Sequence, residues 1–283
     1  MKKIFSILLL TVAFASCKKE GQNTVETDKK DTLSTAKIVS LNGAITETLA
    51  QLGEENNIIG VDVTSNYPEG LKAQNLGHVR SITAESILAL QPTVIYASNK
   101  DMNPDLLEKL KASKVKLELI DQEFSAQGTA NLITTVAKSL NKENYQPIID
   151  NINAKLATVK TLEKKPKVLF IYARGAGNLM VAGKDTPLER IITIAGGENA
   201  ANDFSDFKPL TPEALVSSNP DVILMFDSGL ASIGGVDGLL KIEGISATNA
   251  GKNKKVIAME GQYLSGFGPR LGDAAVDLNK LLQ

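Results

Sequence analysis

Short runs of consecutive aliphatic residues alternate along this chain with longer stretches in which apolar positions recur every three or four residues. The runs at 37–41, 58–63, 93–98, 116–120, 167–172, 221–226 and 255–258 read as strands. In Val94-Ile95-Tyr96-Ala97 and Val222-Ile223-Leu224-Met225 the apolar residues are consecutive rather than alternating, the kind of run that a mainly parallel sheet buries on both faces. Helical spacing covers 44–52, stopped by Gly53, then 104–112, a stretch resuming near Thr129, 187–195 and 271–282. Between residues 142 and 162, Ile148, Ile149, Ile152, Leu156 and Val159 fall near helical spacing with no glycine and only Pro147 near the start, which predicts one long helix. Strand and helix alternate on both sides of it. The pattern therefore predicts an α/β fold of two Rossmann-like lobes with mainly parallel sheets, residues 36–141 and 165–283, joined by a linking helix at 142–164, with a ligand cleft between the lobes.

One phrase occurs twice. Thr83-Ala84-Glu85 and Thr211-Pro212-Glu213 each begin a short helix that runs through an aliphatic pair and a proline into a Val-Ile strand, 128 residues apart (83 to 211). That spacing is the size of one domain, so the halves are expected to be similar lobes. In each copy threonine can cap the helix, and glutamate sits in the first turn, where the helix dipole favours a carboxylate.

The first residues carry a different pattern. Lys2 and Lys3 precede an apolar run at 4–14, too short for an ordinary membrane span, which ends at Ala15-Ser16-Cys17. Small residues before the only cysteine resemble a bacterial lipoprotein cleavage site, so Cys17 is expected to carry the lipid and to be the sole link to a membrane. Residues 18–35 are polar and charged, as in a disordered tether. With Cys17 used as an anchor, disulfides, thiolate metal sites and cysteine nucleophiles are excluded. The 31 basic residues nearly balance 32 acidic ones, and no basic patch points to nucleic acid. There is no Gly-x-Ser-x-Gly elbow, His-Glu-x-x-His zinc pair or phosphate loop, so a binding protein rather than an enzyme is expected; a carboxylate-based hydrolase is the distant alternative.

Four stretches carry a family resemblance: Ser65-Asn66-Tyr67-Pro68, Gly77-His78-Val79-Arg80 with its following helix, Met180-Val181-Ala182-Gly183, and Gly266-Phe267-Gly268-Pro269-Arg270. Through them the chain resembles the substrate-binding lipoproteins of ABC importers for haem, cobalamin and ferric siderophores, and most of all those for haem. The resemblance implies a monomer, facing the periplasm, that captures haem between its lobes and delivers it to a permease and its ATPase. Cobalamin or a ferric siderophore is the alternative cargo. It also implies docking of Glu85 and Glu213, one per lobe, onto permease arginines, although helix-end stabilisation alone would equally place a carboxylate there.

One departure from the family bears on the iron. Where haem-binding relatives carry a tyrosine ligand, this chain has His78, its only histidine, and a neutral imidazole also binds haem iron. Affinity is therefore expected to fall in acid. Tyr172, Met180 and Met102 are candidates for the other axial position, which an open or water-filled site would satisfy equally. Tyr67, Phe207, Tyr263 and Phe267 are candidate walls. Arg80, Arg174 and Arg270 are candidate propionate donors, because the guanidinium fork matches a carboxylate.

Overall fold

The computed structural model describes residues 36–283; the export signal, Cys17 and the tether lie outside them. The first lobe is built on β1 (Ile38–Ser40), β2 (Ile58–Val61), β3 (Gln74–Asn75), β4 (Val94–Ser98) and β5 (Lys116–Ile120). They form one parallel sheet in the order β3-β2-β1-β4-β5. Helices α1 (Gly43–Gln51), α2 (Ala84–Leu88), α3 (Pro104–Ala112) and α4 (Ala126–Ser139) connect and cover it. The strand order reverses between β1 and β4, and in such sheets ligands bind at the carboxyl ends beside the reversal.

The second lobe centres on β6 (Lys167–Ala173), with β7 (Leu179–Ala182), β8 (Glu198–Asn199), β9 (Phe207–Pro209), β10 (Val222–Phe226) and β11 (Val256–Met259). Its sheet runs β11-β10-β6-β7-β9, with β8 also on β6; β7 and β9 are antiparallel to their neighbours and the rest are parallel. The helices of this half, after α5 (Gln146–Leu156), are α6 (Pro187–Ile194), α7 (Pro212–Ser218), α8 (Asp227–Ser232), α9 (Gly235–Leu240), α10 (Asn249–Asn253), α11 (Gly261–Ser265) and α12 (Leu271–Leu282). Both repeated threonines cap as expected. Thr83 Oγ1 accepts from Ser86 N–H at 3.2 Å and Thr211 Oγ1 from Ala214 N–H at 3.1 Å, each such cap being worth about 1 kcal/mol.

The linking helix is shorter than its apolar spacing implies. It is α5, eleven residues long, rather than the whole of 142–164. Its end is set by a residue far along the chain. Asn279 of α12, 2% exposed, accepts from Lys160 N–H at 3.1 Å and donates Nδ2 to Lys160 O at 2.9 Å and to Ala195 O at 3.0 Å. The Lys160 backbone groups that a continued helix would have used are thereby bound to a side chain. Val159 and Leu162 still pack on the core, which is why their spacing reads as helical. That core is shared: one apolar cluster includes Ile38, Ile45 and Leu132 of the first lobe, Ile152 of α5, and Phe170, Leu188 and Leu278 of the second.

Helices α5 and α12 approach closely at Gly272, where a Cβ would stand 2.8 Å from Lys155 Cβ and 2.9 Å from Ile152 O. Gly272→Ala is expected to cost about 1–3 kcal/mol through this overpacking. Urea unfolding measures the loss, and a stabilised variant would show that the two helices separate freely.

Candidate functional site

A cavity of about 550 Å³ opens between the lobes. Leu41 and Asn42 follow β1, Asp62 and Thr64 follow β2, and Asp101 follows β4, all at the carboxyl ends of parallel strands. His78, Val79 and Arg80 come from the loop after β3. The second lobe contributes Tyr172 and Arg174 from the end of β6.

The histidine is presented by a tight turn. Gly77, at φ +94°, donates its N–H to Asn75 Oδ1 at 2.8 Å, a backbone conformation that glycine adopts without penalty. His78 O then accepts from Ser81 N–H at 2.7 Å and Ile82 N–H at 3.1 Å. Its half-buried ring accepts Arg80 N–H on Nδ1 at 3.3 Å, leaving Nε2 without a protein partner.

Opposite stands Tyr172, its ring edge-on to Phe226 with centroids 6.1 Å apart. Its hydroxyl oxygen accepts from Arg174 Nε at 2.5 Å, and the Arg174 guanidinium carbon lies 5.5 Å from the Tyr172 ring centre. Arg174 therefore acts on Tyr172 directly, where the sequence suggested a propionate contact. Asp62, buried beneath the cleft, is already occupied. It accepts from Thr64 N–H at 3.1 Å, from the Thr64 hydroxyl at 2.5 Å and from the Ser65 hydroxyl at 2.6 Å. Among the described residues no group of three or more His, Cys, Asp or Glu gathers to hold a bare metal ion.

Four of the eight residues expected to bind ligand thus meet on the cleft: His78, Arg80, Tyr172 and Arg174. The other four do not line it. Phe267 is 2% exposed and packs on Phe124 at 5.4 Å between centroids, so it is core rather than a wall. Arg270 is bound to Glu47, its guanidinium stacked 3.7 Å from the Tyr67 ring centre and 5.1 Å from that of Tyr263. Tyr67 is therefore engaged with Arg270. Met180 pairs with Tyr172 in the β6–β7 ladder and sits beside the cleft. Met102 is buried in the first lobe's own apolar cluster, and Phe207 is exposed on β9, away from the cavity. The Tyr263 hydroxyl donates to Asp277 at 2.8 Å; burial first, then that bond, pushes it far above the ordinary tyrosine range, while the same bond holds Asp277 low.

Leu41, Asn42, Asp62, Thr64, Val79 and Asp101 were missed as lining residues. The signal for three of them was positional, since Leu41, Asn42 and Asp62 directly follow strands next to the sheet's reversal. A second hollow of about 470 Å³ lies on the second lobe alone, against α7 and β9. Its buried Asn199 is fully bonded to Ala182 O, Ala201 O and Ala201 N–H, and none of the candidate ligand-binding residues faces it.

Glu85 and Glu213 both occupy the second position of their helix, and both are exposed. The Glu85 carboxylate is held below the ordinary range by its own backbone amide, then the Thr83 hydroxyl, then Lys109 3.5 Å away.

The family model for periplasmic binding proteins matches residues 38–263. The fold superposes on the periplasmic heme-binding protein RhuT from Roseiflexus sp. RS-1, in apo form, with a TM-score of 0.84 at 38% identity, covering 87% of this chain and 97% of that one. For the periplasmic heme-binding protein BhuT in complex with two hemes the TM-score is 0.82 at 31% identity, over 87% and 97% of the two chains. The uncharacterized ABC transporter substrate-binding lipoprotein YvrC of Bacillus subtilis (strain 168) is 25% identical over 250 residues, 86% of this chain and 78% of its own. With its two lobes, its shared core and a family match that spans both, the chain belongs to the periplasmic binding protein family.

Proposed function

We propose that this protein captures haem in the interlobe cleft and hands it to an ABC permease. The observation that carries the reading is the meeting of His78 and Tyr172, from opposite lobes, across one cavity. Imidazole and phenol oxygen are both haem-iron ligands, and facing groups from two lobes suit the two sides of a flat macrocycle. His78 would bind iron through a ring nitrogen. Tyr172 would bind the opposite face, with Arg174 orienting its hydroxyl and stabilising negative charge on that oxygen. Exposed Arg80, which forms no ion pair among the described residues, is placed to meet a propionate. Leu41, Val79 and the Tyr172 ring supply the apolar contact, and the cavity volume lies in the range of ligand pockets. The scheme leaves the haem itself chemically unchanged and asks the protein only for ligation, with loss of the Tyr172 phenol proton where that oxygen binds. Lipidation at Cys17 would tether the protein, as a monomer, to a membrane of the cell envelope.

Adding ferric haem to protein lacking residues 1–17 should give a saturable change in the Soret region. A flat response to haem together with saturable binding of cyanocobalamin would replace haem by the related cargo.

Glu85 and Glu213 support docking, since the repeat puts one exposed carboxylate on each lobe at the same helical position. The double variant Glu85→Gln, Glu213→Gln should raise the half-saturating concentration for stimulating the importer's ATP hydrolysis by about tenfold or more. Haem affinity should be unchanged. Equal stimulation would assign both carboxylates to helix-end stabilisation.

A further inference from the structure

Residues 260–270 leave the second lobe's sheet and bind the first lobe through polar contacts that the cleft's own chemistry does not use. Asn66 donates its backbone N–H to Gln262 Oε1 at 3.0 Å and its Nδ2 to Glu260 Oε1 at 2.9 Å. Gln262 Nε2 donates to Gly43 O at 2.9 Å. Gln122 donates Nε2 to Gly266 O at 2.7 Å while its Oε1 accepts from Asn42 Nδ2 at 3.2 Å. Arg270 binds Glu47 through both its backbone N–H and Nε, each at 2.9 Å, and lays its guanidinium on Tyr67.

These contacts end on the cleft wall. Asn42 and Thr64 line the cavity; Asn66 and Tyr67 follow Thr64 in the same loop, and Asn42 is one hydrogen bond from Gln122. The three stretches converge at Gly43, where a Cβ would lie 2.9 Å from Gln262 Cδ and 3.0 Å from Thr64 O. A Cβ there would have to displace the Gln262 side chain and press on Thr64 O, so glycine lets Gln262 cross between the lobes in its present place. Arg270 Nη2 is buried without a hydrogen-bond partner, as expected of a guanidinium held by stacking and by Glu47 rather than aimed at cargo.

We propose that Arg270 and Glu260 are positioning residues for the cleft. They clasp the loop from Asp62 to Tyr67 and the start of α1 against the second lobe, and so set the distance across which a ligand spans the two lobes. The inference rests on the cleft being the ligand site, and it assigns cargo retention to residues that never touch the cargo.

Two variants test it without removing a buried charge. Arg270→Lys keeps a cation opposite Glu47 but loses the planar stack on Tyr67. Asn66→Ala deletes a cross-lobe bond from an exposed side chain. Haem release into excess apomyoglobin should be about tenfold faster in each, the usual scale for loss of an outer-shell support, with the Soret maximum unmoved. Amide exchange at residues 62–67 should also be faster in the ligand-free variants. Unchanged release in both, even with a lower Tm, would reduce the contacts to ordinary stabilisation and overturn the proposal. If the unaltered protein takes up no haem, the cargo assignment fails separately, and unchanged exchange at 62–67 would then overturn the clasp on its own.

Discussion

Replacing Arg270 with alanine is expected to lower the free energy of unfolding by about 3–5 kcal/mol at neutral pH, the scale for stranding one member of a buried ion pair. The side chain of Glu47 is 3% exposed and that of Arg270 19%, so the pair is removed from solvent screening. Burial is the largest influence on Glu47 and pushes its carboxyl above the ordinary glutamate range; the charge of Arg270 and its two hydrogen bonds pull it back. Without Arg270 only the upward push remains. A carboxyl raised in the folded state contributes stability when protonated, and that contribution is lost as pH climbs through its folded value. The deficit of Arg270→Ala should therefore be largest at pH 7 and shrink toward pH 5, where Glu47 can take up a proton. Loss of guanidinium stacking on Tyr67 adds roughly 0.5–1 kcal/mol that does not titrate in this window. Urea unfolding at the two pH values measures both parts. A deficit that is the same at both would mean that Glu47 is not left charged and buried.

The same residue shows where reading the sequence stopped. Arg270 sits in a Gly-Phe-Gly-Pro-Arg run that reads as a ligand loop, but its role depends on Glu47, 223 residues away in the chain. Nothing local distinguishes an arginine awaiting a propionate from one already bound to a carboxylate. Phe267 was misplaced for the same reason, since only the arrival of Phe124 makes it core. Where local chemistry was sufficient, the reading was close. Asn103 and Pro104 start α3, and the short Lys-Leu-Glu-Leu-Ile segment reads as β5, so both elements match to the residue. The linking helix failed because Val159 and Leu162 pack on the shared core from a segment beyond the helix, while the side chain that captures that segment lies in the last helix. The short helices α8, α9 and α11 carry too little periodicity to be seen, each holding glycine in five or six residues. His78, Arg80, Tyr172 and Arg174 were legible through the family resemblance rather than the strand pattern, which did not include β3; all four lie near the carboxyl ends of strands, where these sheets place their ligands.

Loss of His78 should be felt more strongly than loss of any support around it. Removing an outer-shell partner costs a metal site roughly 10–100-fold in affinity, so His78→Ala is expected to weaken ferric haem by more than that and to shift the Soret band. Tyr172→Phe should shift the band differently, because in the proposed scheme it removes the oxygen that binds the opposite face. Arg174→Ala should stay within the 10–100-fold range with a small shift, since Tyr172 survives but loses its donor at 2.5 Å. Unchanged spectra in Tyr172→Phe would leave the second axial position to solvent, and an unchanged spectrum in His78→Ala would move the iron off the histidine altogether.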